Sequence, residues 1–149
     1  RGIIMKKDKQ VFAEDLNFWR TGRESPDKWT ELAKSQIRSL GGVVLGEGFG
    51  SDDSGRAAFM LGFEISGDRF KLVWPVIKSK CNDVSAERRQ SATTLYHVVK
   101  AKCIEAVIRG PRVAFAGDWL LPNGRTVGEL TSEELSRSIP LLLSGSQGD

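Results

Sequence analysis

Histidine, tyrosine and cysteine are scarce in this chain of 149 residues: His97, Tyr96, Cys81 and Cys103 are all it has. Two thiols are too few for a disulfide scaffold, and together with one histidine they fall short of the ligand sets of common zinc sites. Cys103 reads as a small apolar residue on a helix. No Gly-x-Ser-x-Gly elbow occurs, which removes the usual hydrolase signature. No Asp-x-Lys or Glu-x-Lys occurs either, although a restriction-type nuclease strand would need one. No apolar run approaches the roughly 20 residues that span a bilayer, and no charged-then-apolar signal segment opens the sequence. These absences predict a non-catalytic protein without cofactor or metal, working in the cytoplasm and not in a membrane.

What is present is an ordinary globular composition with uneven charge. The net charge is +3. Between Arg69 and Arg109 nine bases stand against three acids, a local charge of +6, while the remainder of the chain sums to −3. A basic block in an otherwise near-neutral chain is the footprint expected for a polyanion, or simply a solvated face. The length suits one domain, expected over residues 6–143. Met5 reads as the natural start, with residues 1–4 as a remnant, and residues 144–149 read as a disordered tail.

Periodicity divides the chain. Phe12, Leu16 and Trp19 recur at helical spacing and predict a short docking helix. Ser25 is a helix cap, Pro26 suits the first helical position, and Trp29, Leu32, Ala33, Ile37 and Leu40 mark one face. Gly41-Gly42 stops that helix. Strands are predicted over Val43–Phe49, Ala57–Ile65 and Arg69–Ile77, with Ser66-Gly67-Asp68 as a hairpin turn and Pro75 marking an edge. A long helix follows over Ser85–Arg109, ended by Gly110-Pro111. Val113–Leu121 reads as a strand or apolar connector, Pro122-Asn123-Gly124-Arg125 as a turn, and Thr131-Ser132-Glu133-Glu134 as a capping box opening a helix through Ile139. The expected fold is α+β: a three-stranded antiparallel sheet, which a C-terminal hairpin would extend, packed against a long helix and an N-terminal helix.

The stretch Gly46-Glu47-Gly48-Phe49-Gly50-Ser51-Asp52-Asp53-Ser54-Gly55-Arg56 is the sequence's most distinctive feature. A phosphate-binding loop needs a helix directly after its glycines, and here the residues after Arg56 alternate as a strand does. Asp52-Asp53 lacks the spaced ligands of a calcium loop. The stretch therefore reads as a long hairpin loop whose tip, with Arg56, could touch a ligand.

The candidate phosphate contacts are Arg69 and Lys71 on the sheet, Arg88 and Arg89 at the helix start, Arg56 on the loop, and Lys78 and Lys80 on the connector. Phe49, Tyr96 and Trp119 are candidates for base stacking, whereas Phe59, Phe63, Phe70 and Trp74 belong to the core. Glu87-Arg88-Arg89-Gln90-Ser91-Ala92 is similar to the basic start of the second helix of double-stranded RNA-binding domains, and the helix-strand-strand-strand-helix order resembles theirs. Three strands followed by a helix also resembles the core of phage single-strand annealing proteins. Ala92-Thr93-Thr94-Leu95-Tyr96-His97 and Leu120-Leu121-Pro122-Asn123-Gly124-Arg125-Thr126 look similar to small phage and mobile-element proteins. The resemblances imply a nucleic-acid partner, with single-stranded DNA the first expectation, double-stranded RNA another, and a homo-oligomer compatible with either. The competing expectation is a protein-interaction module, an adaptor or inhibitor, using an apolar patch built from Trp19, Trp119 and Leu141-Leu142-Leu143.

Overall fold

The computed structural model describes residues 10–130 together with Glu134 and Arg137. It is α+β, as expected: α1 (Pro26–Ser39), β1 (Val43–Ser51), β2 (Ala57–Ile65), β3 (Asp68–Pro75), α2 (Val84–Arg109) and the short α3 (Pro111–Ala114). The expected helix from Thr131, the Leu141-Leu142-Leu143 run and both chain ends lie outside the described residues, Glu134 and Arg137 excepted.

The strands form one antiparallel meander in the order β1-β2-β3. The β2–β3 turn is short because Ser66 and Gly67 both take positive φ, 53° and 85°, which matches the twist of a tight hairpin. Phe59, Leu61, Phe63 and Ile65 of β2 and Phe70 and Leu72 of β3 are buried on one face, as their alternation predicts. Ala33 and Ile37 of α1 and Ala92, Leu95, Val99, Cys103 and Ala106 of α2 close over them. Phe63, Phe70 and Phe115 form a ring cluster with centroids 5.0–5.6 Å apart. Each of the three is almost completely buried, and such contacts add to the hydrophobic gain.

Caps define the helices. Ser25 Oγ accepts a hydrogen bond from the Lys28 N–H at 3.2 Å, and Asp83 accepts from the Ala86 N–H at 3.1 Å, each satisfying an otherwise orphan donor. The connector before α2 is tied down from inside. Buried Glu87 accepts from the Ser79 N–H at 2.8 Å and the Ser79 hydroxyl at 2.5 Å.

Three expectations need correction. The segment around Phe12, Leu16 and Trp19 is not a helix but one 3-10 turn, Ala13–Asp15, followed by an irregular strap. Phe18 and Arg20 take positive φ, 69° and 57°. The side-chain amide of Gln90 donates to the carbonyls of Ala13 (2.9 Å) and Asn17 (3.0 Å), so α2 satisfies main-chain groups that a helix would have used. Val113–Leu121 is not a strand; its first part is α3 and a 3-10 turn at Ala116–Asp118. Among the described residues the C-terminal turn pairs through two single bridges, Phe70–Trp119 along the outer edge of β3 and Leu120–Thr126 within the turn itself. Finally, β1 runs on through Ser51, so most of the glycine stretch is strand and not loop.

Phe63→Ala should lower stability by about 3–5 kcal/mol in denaturant titration, because the ring cluster cannot collapse to fill the space. The two thiols should separate in labelling. Burial pushes the Cys103 thiol up to about 11, so an alkylating reagent should modify exposed Cys81 in the native protein and Cys103 only after unfolding.

Candidate interaction surface

The glycine stretch has two parts with different jobs. In β1 the glycines fall at alternate positions, Gly46, Gly48 and Gly50, opposite Gly62, Met60 and Ala58 of β2. They share the sheet face that carries no helices, while Glu47 and Phe49 point to the helix side. A Cβ added at Gly46, Gly48 or Gly50 would meet nothing within 4 Å, so this part of the open face is bare backbone. The second part is a compact turn. Asp52 accepts from the Ser54 N–H at 3.0 Å, the Ser54 hydroxyl at 2.6 Å and the Arg56 N–H at 2.9 Å. The Ser54 hydroxyl, then the Arg56 amide, hold the Asp52 carboxyl below its usual range. Gly55, at φ 84°, closes the turn. Asp52 thus serves its own loop.

Arg56 and Lys71 line one shallow cleft of about 360 Å³ on the open face, together with Met60, Val73 and Glu129. Arg56 is 3.4 Å from Asp52, and Asp52 and Asp53 line the same cleft. Glu129 accepts from the Thr126 N–H at 2.6 Å. That bond, with a smaller effect from Lys71, keeps its carboxyl low. Acids therefore outnumber bases there. Arg69 pairs with Glu64 at 3.4 Å.

The remaining bases lie around the start of α2. Lys80 sits 5.2 Å from the Phe12 ring centroid, and its N–H donates to Glu14 at 3.0 Å. Arg88 lies 4.0 Å over the Phe49 ring. Arg89 reaches Ser85 at 3.5 Å, and Lys78 is exposed. The sheet bases and the α2 bases stand on different faces, so the seven do not form one continuous surface.

None of the three stacking candidates lies on the open face. Phe49 packs at a tilt against Phe59, 4.7 Å between centroids, with Arg88 over one side of its ring, and stays partly exposed on the helix side. Tyr96 packs against Trp29 at 5.3 Å between α1 and α2. Trp119 packs on the core beneath Arg112, 4.6 Å from its ring. His97 stacks flat on Phe18, with centroids 4.7 Å apart. Asp118 and Glu129 are engaged separately: Asp118 accepts from Lys102 at 3.2 Å, with burial raising its pKa. Among the described residues no group of three or more His, Cys, Asp or Glu could hold a metal ion, and no helix is long and apolar enough to cross a membrane.

The two sheet edges are treated differently. The outer edge of β3 carries Arg69, Lys71 and Pro75 and is partly covered by Trp119 and Leu120, whose N–H donates to the Arg69 carbonyl at 2.8 Å. The outer edge of β1 pairs with nothing among the described residues. Its sequence, VVLGEGFGS, has no lysine, arginine or proline. Val43 and Leu45 are 56% and 53% exposed. Its one irregularity is a register shift between Val44 and Gly46, which leaves Gly46–Ser51 in regular pairing with β2. The sequence carried a signal for this surface in the alternation of its glycines, which period-two reading of apolar residues passes over. Comparison of the chain with protein-family models, with curated proteins and with solved structures finds no match.

The strap supplies a pH test. The Ala86 N–H, then Arg20, hold the Asp83 carboxyl below its usual range. A lowered folded pKa gives stability that is complete above the unfolded value, about pH 4, and is lost as pH falls through the folded one. Protection from hydrogen exchange across residues 12–20, taken relative to the intrinsic rate at each pH, should therefore hold down to about pH 4 and fall below it.

Proposed function

We propose that the protein is a non-catalytic interaction module that receives an extended strand of a protein partner along the free edge of β1. The observation that carries this reading is the unguarded edge of β1 beside a guarded β3. Edge strands present alternate unpaired N–H and C=O groups, and soluble proteins blunt them with charge, proline, bulges or a covering segment. β3 uses three of these devices, whereas β1 has the irregularity near Leu45 and a single charged residue, Glu47, which is held by Lys34 of α1. A strand added there gains main-chain hydrogen bonds, with Val43, Leu45 and Phe49 supplying apolar contacts. The bare glycines let a partner backbone approach without steric conflict.

A nucleic-acid ligand remains the second reading. It draws on Lys78, Arg88 and Arg89, which form no ion pair among the described residues. The paired or acid-flanked state of Arg56, Arg69 and Lys71, and the absence of aromatic rings on the open face among the described residues, count against it.

The two readings separate in solution. A library of displayed peptides about seven residues long should yield binders that slow amide exchange across Val43–Ser51, and Leu45→Lys should weaken them roughly tenfold. Binders that leave β1 exchange unchanged would sink the strand-addition reading. Fluorescence anisotropy with labelled single-stranded DNA and RNA at about 50 mM salt should show no strong binding; affinity that falls steeply with salt would favour the polyanion instead.

A further inference from the structure

We infer that the strand received at the β1 edge is β1 of a second copy of this chain, paired antiparallel about a two-fold axis, with Glu31 of each copy facing Arg38 of the other. The inference rests on the strand-addition reading and adds the identity of the partner.

The argument begins with the charges that overhang the edge. Glu31, Lys34 and Arg38 fall on the flank of α1 that faces away from α2. Lys34 bonds Glu47 of β1 directly and is 3.0 Å from Glu31. Arg38 is 3.1 Å from Glu31. The flank and the edge together hold two acids and two bases, so they carry no net charge. Two copies meet there without the repulsion expected of a surface bearing one sign.

The order of these charges matters more than their sum. α1 and β1 run antiparallel to each other: Thr30 and Ala33 lie by Glu47 and Gly48, while Ile37 lies against Gly42 at the start of the strand. Antiparallel pairing of two β1 strands therefore makes the two α1 helices antiparallel as well. The acid, Glu31, stands toward the N-terminal end of the flank and the base, Arg38, toward the C-terminal end. An axis through the Lys34–Glu47 contact sets each acid opposite the other copy's base. Such self-opposition is what a two-fold interface requires of one surface; an unrelated partner strand places no such demand on α1.

The rest of the edge is compatible. The same axis brings Leu45 of one copy alongside Phe49 of the other and covers apolar surface now in solvent. Glu47 of each copy approaches the other near the axis, but each already holds Lys34. The glycines leave the open face clear across the junction. The product is a continuous sheet in the order β3-β2-β1-β1-β2-β3 with both helix layers on one side.

The full chain should sediment as a species of twice 16.4 kDa. Glu31→Arg and Arg38→Glu should each weaken self-association roughly tenfold when studied alone. Mixed in equal amounts, the two variants should recover the wild-type affinity as a heterodimer, because every charge then meets its opposite across the axis. A purely intrachain role for the Glu31–Arg38 pair would not be rescued by mixing, and circular dichroism of each variant checks that it folds. A wild-type chain that stays monomeric at about 100 μM, or a mixture that shows no recovery, overturns the inference. Either result leaves strand addition standing, since that reading falls only if peptides fail to protect β1 when the chain is diluted below the concentration at which it self-associates.

Discussion

Phe59, Leu61, Phe63 and Ile65 point to the same side of β2, and that side can be buried only beneath something. α1 and α2 supply the cover, and Phe115 completes the ring cluster from beyond the long helix. A sheet of three strands has one face for this purpose, and both helices are spent on it. Among the described residues the consequence is two layers, with the second sheet face and the β1 edge left at the surface.

How the protein treats those exposed features follows from their chemistry. The open face is neither apolar nor strongly charged: it is glycine on β1, with Met60, Glu64, Arg69, Lys71 and Val73 on the other strands. It therefore has little tendency to collapse onto another surface. The β3 edge is occupied by the chain itself through Trp119 and Leu120. Among the described residues the β1 edge combines main-chain groups that pair with no strand and exposed Val43 and Leu45. Hydrogen bonds along such an edge are directional, so a free strand edge favours an extended backbone over an apolar object of another shape.

Electrostatics reinforce the same division. The basic block between Arg69 and Arg109 is dense in sequence, but folding disperses it. β3 sends Arg69 to Glu64 and Lys71 to a cleft with three acids. The start of α2 sends Arg88 onto an aromatic ring. Local charge density along a chain becomes a field only if the fold brings like charges to one surface. In contrast, Glu31, Lys34, Arg38 and Glu47 are modest in sequence yet converge at one edge.

The sequence alone determined the α+β class, the meander, its Ser66-Gly67 turn and the burial of β2 and α2. Those follow from period-two and period-3.6 alternation, which are local properties of a chain. It could not show that the residues around Phe12 and Trp19 would give up a helix, because the competing partner, Gln90, lies more than seventy positions away. Nor could it show which bases would be neutralised. The glycine stretch marks the boundary between the two kinds of knowledge. Its failure as a phosphate loop was legible from the strand that follows it, whereas its place as an unguarded edge depended on which strand became the outermost one, a matter of long-range pairing.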